Sequence, residues 1–249
     1  MSGFSRWSAR LFDWFVPDTC LACRRPRHGL AAPFGLCRAC HGRVVAVPAA
    51  SCATCARPLT GDAGPAPRRC GRCLVTPPPF ARLRVLWYYQ PPLDAVIAGL
   101  KFERLDYLGA ELAAAAAAHL AGEAARWDLV APVPLHWRRR LARGFNQAER
   151  IASPLAARLG VPFATPLRRR RPTRPQVSLP RDERLRGPRA AFSLRQRAQV
   201  GGLRVLLVDD VFTTGSTLAA AARALCGGGA TVEAFALAAT PEQASARRE

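Results

Sequence analysis

Acidic side chains are scarce in this chain, with 17 Asp and Glu against 37 Lys and Arg in 249 residues. The resulting formal charge of +20 predicts attraction to phosphate, whether in nucleotides, nucleic acid or anionic lipid. Lysine is scarcer still: Lys101 is the only one, and the other 36 basic residues are arginine. With so much alanine, biased genomic composition explains that preference as readily as phosphate binding does. Long apolar runs are also missing. The richest, residues 108–122, is mostly alanine and contains Glu111 and His119, so it falls short of the ~20 apolar residues of a membrane-spanning helix. At the start of the chain Arg6 and Arg10 interrupt the apolar residues and Asp13 follows, a pattern that argues against a secretory signal and for a cytoplasmic protein. What is present fits a globular chain, 49% hydrophobic and 22% charged. Its length suits one or two domains with a core that needs no disulfide staples.

Eight of the nine cysteines form four CxxC pairs: Cys20 with Cys23, Cys37 with Cys40, Cys52 with Cys55, and Cys70 with Cys73. Two thiolates on one tight knuckle can point at one ion, and two knuckles complete the tetrahedron that zinc prefers. Two structural zinc sites are therefore expected, with metal binding coupled to local folding. Each four-thiolate zinc site carries a net −2, which lowers the chain's charge only to about +16. Pairing of the knuckles in sequence order closes short loops, and an interleaved pairing satisfies the count equally. Disulfides and thioredoxin-like redox pairs are the competing readings, the first disfavoured in a reducing cytoplasm and the second by four pairs set in loops. Cys226, alone in an expected helix, reads as a small core residue.

Pro48, Pro58, Pro65 and Pro67 punctuate the cysteine region, and the run Pro77-Pro78-Pro79 marks a boundary near residue 80. Three units follow: an amphipathic segment over 1–19, a double zinc ribbon over 20–79 and a larger domain over 80–249. In the first, Phe4, Trp7, Leu11, Phe12, Trp14 and Phe15 recur at roughly helical spacing, suited to docking on the body of the protein, on a partner or on a membrane surface. In the last, strands are expected over 82–89, 129–133, 203–208 and 231–237, and helices over 93–102, 108–120, 146–159 and 216–226, with Pro154 kinking or splitting the third helix. Alternation of this kind specifies an α/β fold with a mainly parallel sheet.

The most informative segment is residues 205–217, VLLVDDVFTTGST. An apolar strand delivers Asp209 and Asp210 to its carboxyl end. Thr213, Thr214, Gly215, Ser216 and Thr217 then lead into a helix. Hydroxyls and backbone N–H groups at a helix N-terminus bind phosphate, and Gly215 lets the backbone come close. Two carboxylates would repel a bare phosphate chain, so they suit sugar hydroxyls, with magnesium nearby. The ligand this describes has a ribose and a 5′-phosphate. A receiver domain would carry its acidic pair near the first strand, a Walker A sequence is absent, and a helix cap accounts only for Ser216 or Thr217.

This segment resembles the signature with which type I phosphoribosyltransferases bind 5-phosphoribosyl 1-pyrophosphate (PRPP). Together with the cysteine ladder, the LKF at Leu100 to Phe102, the PVPLH at Pro132 to His136 and the RGFNQA at Arg143 to Ala148, residues 12–241 resemble the ComF family of competence-associated proteins. The resemblance implies a type I phosphoribosyltransferase-like, mainly parallel α/β sheet with an N-terminal double zinc-ribbon domain. It also implies a pyrophosphate loop at Val133, Pro134, Leu135 and His136, with Arg138, Arg139, Arg140 and Arg143 supplying positive charge. Residues 168–189 resemble the hood that closes over PRPP, where Gln176, Leu179 and Arg184 fit the family pattern and Gly187, Pro188 and Ala190 depart from it. Asp209 and Asp210 would orient the sugar and favour positive charge developing on it, magnesium would bridge pyrophosphate and ribose hydroxyls, and the hood arginines would stabilise the departing pyrophosphate.

Transfer of a phosphoribosyl group to an unidentified nitrogenous acceptor is the leading expectation. The alternative is a non-enzymatic accessory of DNA uptake that senses PRPP or a nucleotide, or binds single-stranded DNA. The partners implied are PRPP or a related phosphorylated ribose, single-stranded DNA, and competence proteins such as a DNA-uptake helicase. Phe34 is the lone aromatic between Cys20 and Cys73, a poor endowment for stacking on bases.

Overall fold

The computed structural model describes residues 19–27, 31–59, 68–102, 105–135, 141, 144–169 and 191–241. The N-terminal amphipathic stripe, His136, residues 138–140, Arg143 and the hood residues Gln176, Leu179 and Arg184 lie outside them.

Two cysteine-rich units come first. In one, β1 (Ala31–Ala32) and β2 (Leu36–Cys37) pair antiparallel and α1 (Arg38–His41) follows; in the other, α2 (Gly71–Val75) carries the last knuckle. The two units repeat one backbone design. Thr19 bridges Pro26 as Ser51 bridges Pro58. The Cys20 N–H donates to the Arg25 carbonyl as that of Cys52 does to Arg57, at 2.8 and 2.7 Å. Arg24 and Ala56, at matching places in the two knuckles, both adopt a positive φ near 60°. The duplication is legible in the cysteine spacing once the two knuckles are overlaid.

The larger unit runs β3 (Leu83–Tyr88), α3 (Leu93–Phe102), α4 (Asp106–His119), β4 (Leu129–Pro132), α5 (Gln147–Leu159), β5 (Leu167–Arg169), β6 (Phe192–Leu194), β7 (Arg204–Phe212), α6 (Ser216–Cys226) and β8 (Thr231–Ala239). Its main sheet has the order β3-β8-β7-β4, and all three pairings are parallel. Central strands of such a sheet are covered on both faces, which is why residues 205–208 are apolar without interruption. Leu206, Val208, Phe235 and Leu237 pack with Ile97, Leu112, Ile151 and Leu155 of α3, α4 and α5. On the opposite face Val205, Leu207, Ala234 and Ala236 pack with Leu218 and Leu225 of α6.

The first ribbon is continuous with this body. Cys20, Leu21, Phe34, Leu36, Cys37 and Cys40 share one apolar core with α3 and α4. A Cβ on Gly99 would touch a Leu21 methyl group at 3.4 Å. Residues 45–47 lie antiparallel along the outer edge of β3, through Val47 N–H to the Leu86 carbonyl and Tyr88 N–H to the Val45 carbonyl, both 2.9 Å, and so cover an edge that would otherwise be open.

Three sequence expectations need correction. β7 does not stop at Val208 but continues to Phe212 in register with β8, so the acidic doublet sits within the strand. Pro154 does not split α5. It withholds a hydrogen bond from the Arg150 carbonyl, yet that carbonyl lies against Gly109 of α4, where a Cβ would come within 2.7 Å. Burial of Ile151, Ala152, Leu155 and Ala156 against α4 and the sheet holds the helix together across the missing bond. Cys226 is exposed rather than part of the core, and its thiol donates to the Pro79 carbonyl at 3.3 Å. The end of α6 lies at the rim, beyond the reach of its buried stripe.

Candidate functional site

The carboxyl end of the parallel sheet gathers several of the residues singled out above. Strand alternation puts Asp210 on the face of Leu206 and Val208, and Asp209 on the opposite one. Asp210 is 6% exposed and forms an ion pair with Lys101 from the last turn of α3. Asp209 accepts the Asp210 N–H at 3.0 Å. Burial, reinforced by the negative charge of Asp210, pushes the Asp209 carboxyl well above the usual carboxylate range.

After Phe212 the chain turns through exposed Thr213 and Thr214 into α6. Gly215 caps the helix with φ +76°, and a Cβ there would meet the Phe212 ring at 2.6 Å. Glycine is required twice over, for the left-handed backbone and for the ring beneath it. Thr214 and Ser216 bring their hydroxyl oxygens to 3.1 Å of each other, so the bend is partly ordered by its own hydroxyls. Ser216 is exposed and Thr217 half-buried, both in the first turn of the helix.

The predicted pyrophosphate loop starts beside this bend. β4 pairs with β7, and the Val133 N–H donates to the Val208 carbonyl at 2.8 Å. Val133, Pro134 and Leu135 therefore leave the sheet next to the acidic doublet. Asn146, 2% exposed, ties this exit to α5: its amide donates to the Val133 carbonyl at 3.0 Å while its side-chain oxygen accepts the Ala148 N–H at 3.2 Å as the helix cap. Replacing Asn146 by serine keeps a capping oxygen but strips the donor from Val133, and the expected cost is about 1–3 kcal/mol. Alanine should remove roughly 1 kcal/mol more by losing the cap, and urea midpoints of the two variants measure both steps.

The segment expected to form the hood is anchored at both ends. β5 and β6 pair antiparallel, Arg168 against Ser193, with the Arg168 side chain donating to the Ser193 hydroxyl at 3.1 Å. Arg169 stacks its guanidinium over Phe192 at 5.2 Å.

Reasoning from sequence missed two residues here. Asn146 was part of a quoted motif but had no role. Lys101 was likewise only part of one, although its being the sole lysine was a usable signal.

The eight knuckle cysteines gather in sequence order. Cys20, Cys23, Cys37 and Cys40 form one cluster, and Cys52, Cys55, Cys70 and Cys73 the other, with the sulfurs of each within 4.8 Å of one another. The interleaved pairing is thereby excluded. The chemistry of these thiols fits a divalent cation. Burial raises Cys20, but N–H groups of Cys23, Cys37 and Ala22 outweigh it and bring the thiol down to about 6; Cys52 falls to about 7 in the same way. Burial and the neighbouring sulfurs push Cys40 up to about 12, and Cys73 is pushed up to about 11, mainly by burial. A bare cluster thus favours few thiolates at once, and four together require the positive charge of a metal ion. With four protein sulfurs each, both are closed, structural zinc sites.

Comparison with known proteins gives a consistent result. The model of the double zinc ribbon domain matches residues 11–74, and that of the phosphoribosyl transferase domain matches residues 146–249. DNA utilization protein YhgH of Salmonella typhimurium is 38% identical over 233 residues, covering 89% of this chain and 97% of that protein. Competence protein F of Haemophilus influenzae is 31% identical, covering 82% of this chain and 89% of its own. Among solved structures, the glutamine PRPP amidotransferase of B. subtilis aligns with 53% of this chain and 26% of its own at 23% identity and a TM-score of 0.39. The adenine phosphoribosyltransferase of Thermoanaerobacter pseudethanolicus aligns with 58% of this chain and 74% of its own at 23% identity and a TM-score of 0.37.

Proposed function

The chain belongs to the ComF family, which joins a double zinc ribbon to a phosphoribosyltransferase domain, and from that premise we propose that it binds magnesium-PRPP and transfers the 5-phosphoribosyl group to a nitrogenous acceptor. The observation that carries this reading is the continuity of Asp209 and Asp210, in the last half of a central strand, with a hydroxyl-lined bend that opens α6. In this reading Thr213, Thr214, Ser216 and Thr217, with the backbone freed by Gly215, hold the 5′-phosphate. Asp209 and Asp210 accept from the ribose hydroxyls and favour the positive charge that develops at C1 as the bond to pyrophosphate lengthens. The exit of β4 at Val133, Pro134 and Leu135, continuing to His136, faces the pyrophosphate, and Arg143, Gln176 and Arg184 assist its departure. Carboxylate oxygens beside sugar hydroxyls suit magnesium, a hard cation that would neutralise pyrophosphate charge when bound. Most of the rate enhancement would come from orientation and fixed charge.

The names of the relatives, DNA utilization protein and competence protein F, link this chemistry to handling of incoming DNA. Zinc held by eight thiolates suits a reducing cytoplasm, and no helix among the described residues is long and apolar enough to cross a membrane.

A second reading, PRPP sensing or single-stranded DNA binding without catalysis, draws on the charge. Arg25, Arg38, Arg43, Arg69 and Arg72 are exposed on the ribbons. Stacking on bases finds no support there, since Phe34 is buried edge-on against Trp87 at 5.3 Å. The deciding experiment is release of pyrophosphate from magnesium-PRPP with a panel of purine, pyrimidine and amine acceptors. Turnover that falls at least 100-fold in Asp210→Asn supports transfer. Saturable PRPP binding with no turnover on any acceptor favours the sensor, and DNA affinity that collapses steeply with salt indicates phosphate neutralisation by arginine.

A further inference from the structure

Lys101 is the one lysine among 37 basic residues, and it is spent on the acidic doublet. Every other basic position of the chain holds arginine, and an ammonium stands here. The two cations differ in ways that matter at this spot. Lysine is a compact charge with three rotatable donors, whereas arginine presents a broad planar fork.

The geometry gives the ammonium a defined task. α3 carries Lys101 across the carboxyl end of the sheet to Asp210, with the lysine side chain 20% exposed and the aspartate side chain 8%. The helix is fixed from behind, where Leu93, Val96, Ile97 and Leu100 are buried and Gly99 lies against Leu21 of the first ribbon. Asp209 and Asp210 are adjacent, and both would meet a ligand that itself carries several negative charges. One cation at this place offsets part of that repulsion and holds the Asp210 carboxylate oriented to accept sugar hydroxyls. We infer that Lys101 is a positioning residue of the sugar-phosphate site, acting through Asp210. This rests on the reading that the doublet holds the ribose of PRPP.

Because it is the only lysine, Lys101 can be observed by itself. Protein grown with lysine labelled with carbon-13 at Cε will give a single side-chain signal in a two-dimensional NMR spectrum. That signal is expected to move when Asp210 is replaced by asparagine, and to shift or broaden saturably as magnesium-PRPP is added to the zinc-loaded wild type, with the midpoint found by calorimetry. Lys101→Met should weaken PRPP binding at least tenfold, with Lys101→Arg recovering only part of the loss. The inference is overturned if the wild type binds PRPP while the lysine signal stays unmoved, or if a folded Lys101→Met binds as the wild type does. Absence of PRPP binding by the wild type would instead sink the proposed function itself, so the two failures are distinct. The wild-type titration answers the question even if the methionine variant does not fold.

Discussion

Replacing Cys40 by serine is expected to lower the thermal midpoint by at least roughly 10 °C, whereas Cys73→Ser should lower it by only a few degrees. Both cysteines are buried in four-sulfur clusters, and each substitution removes one of the four ligands a zinc ion would have there. The difference lies in what surrounds them. Cys40 and its partners Cys20 and Cys37 belong to the apolar core that also contains α3, α4, α5 and the central strands. The sulfurs of the second site form a small cluster of their own: among the described hydrophobic residues, Cys52, Cys70 and Cys73 pack with Cys55 and Leu59. Losing the first metal therefore loosens Leu21, Phe34 and Leu36 against the body, while losing the second melts a local unit. For a chain of this size 1 kcal/mol shifts the midpoint by about 2–4 °C, so the larger effect corresponds to about 3–5 kcal/mol. Scanning calorimetry reads the shifts and hydrogen exchange localises them. Equal shifts in the two variants would show that the second ribbon is as integral as the first.

Arg84→Met is expected to destabilise the fold by about 3–5 kcal/mol, the usual penalty for removing one partner from a buried ionic network. Arg84, on β3, is 5% exposed and held between two carboxylates, pairing with Glu123 and with Glu233 at 2.6 Å, while its guanidinium lies 5.3 Å from the centre of the Trp127 ring. Trp127 also donates to Glu233 at 3.1 Å. Removing the cation leaves both acids in a part-buried site with the longer, half-exposed pairs to Arg126, 3.4 Å from Glu123 and 3.5 Å from Glu233, as their remaining compensation. Changing Glu123 and Glu233 to glutamine in the same chain should restore part of the loss, since two carboxylates that Arg126 alone compensates poorly are then gone. The network also predicts an acid response. Burial alone would raise the Glu123 carboxyl, but the hydrogen bond and charge of Arg84 hold it below its usual value. A carboxyl depressed in the folded state contributes stability above its unfolded pKa, and that contribution disappears as pH falls through the folded value. Wild-type stability should therefore decline on acidification below about pH 4.5, and Arg84→Met should show less of that decline. Denaturant midpoints across this range test both statements.

Much of the α/β body was legible because its signals are local. α3 and α6 have the limits that hydrophobic periodicity assigns them, and β7 and β8 are marked by apolar runs over residues 205–208 and 234–239. The errors arose where tertiary packing decides. Pro154 is a helix breaker by local chemistry, and only the approach of Gly109 and the burial of α5 keep the helix whole. Cys226 belongs to a helix whose buried stripe ends before it, a boundary that composition does not mark. The extension of β7 through two aspartates runs against strand propensity and depends on pairing with β8 and on Lys101. The pairing of the zinc ligands likewise required knowing which knuckles meet. At the candidate site the acids and the hydroxyl-rich bend are contiguous and could be read together. Lys101 and Asn146 reach it from 109 and 64 residues away from Asp210 along the chain, and no short-range pattern connects them to it.

The most direct test of the account is calorimetric titration of magnesium-PRPP into the full chain, after metal analysis has shown about two zinc ions bound per molecule. The account predicts saturable heat at one site per chain, abolished in Asp210→Asn. A folded, zinc-loaded wild type that takes up no PRPP, or an Asp210→Asn variant that binds it unchanged, would contradict it.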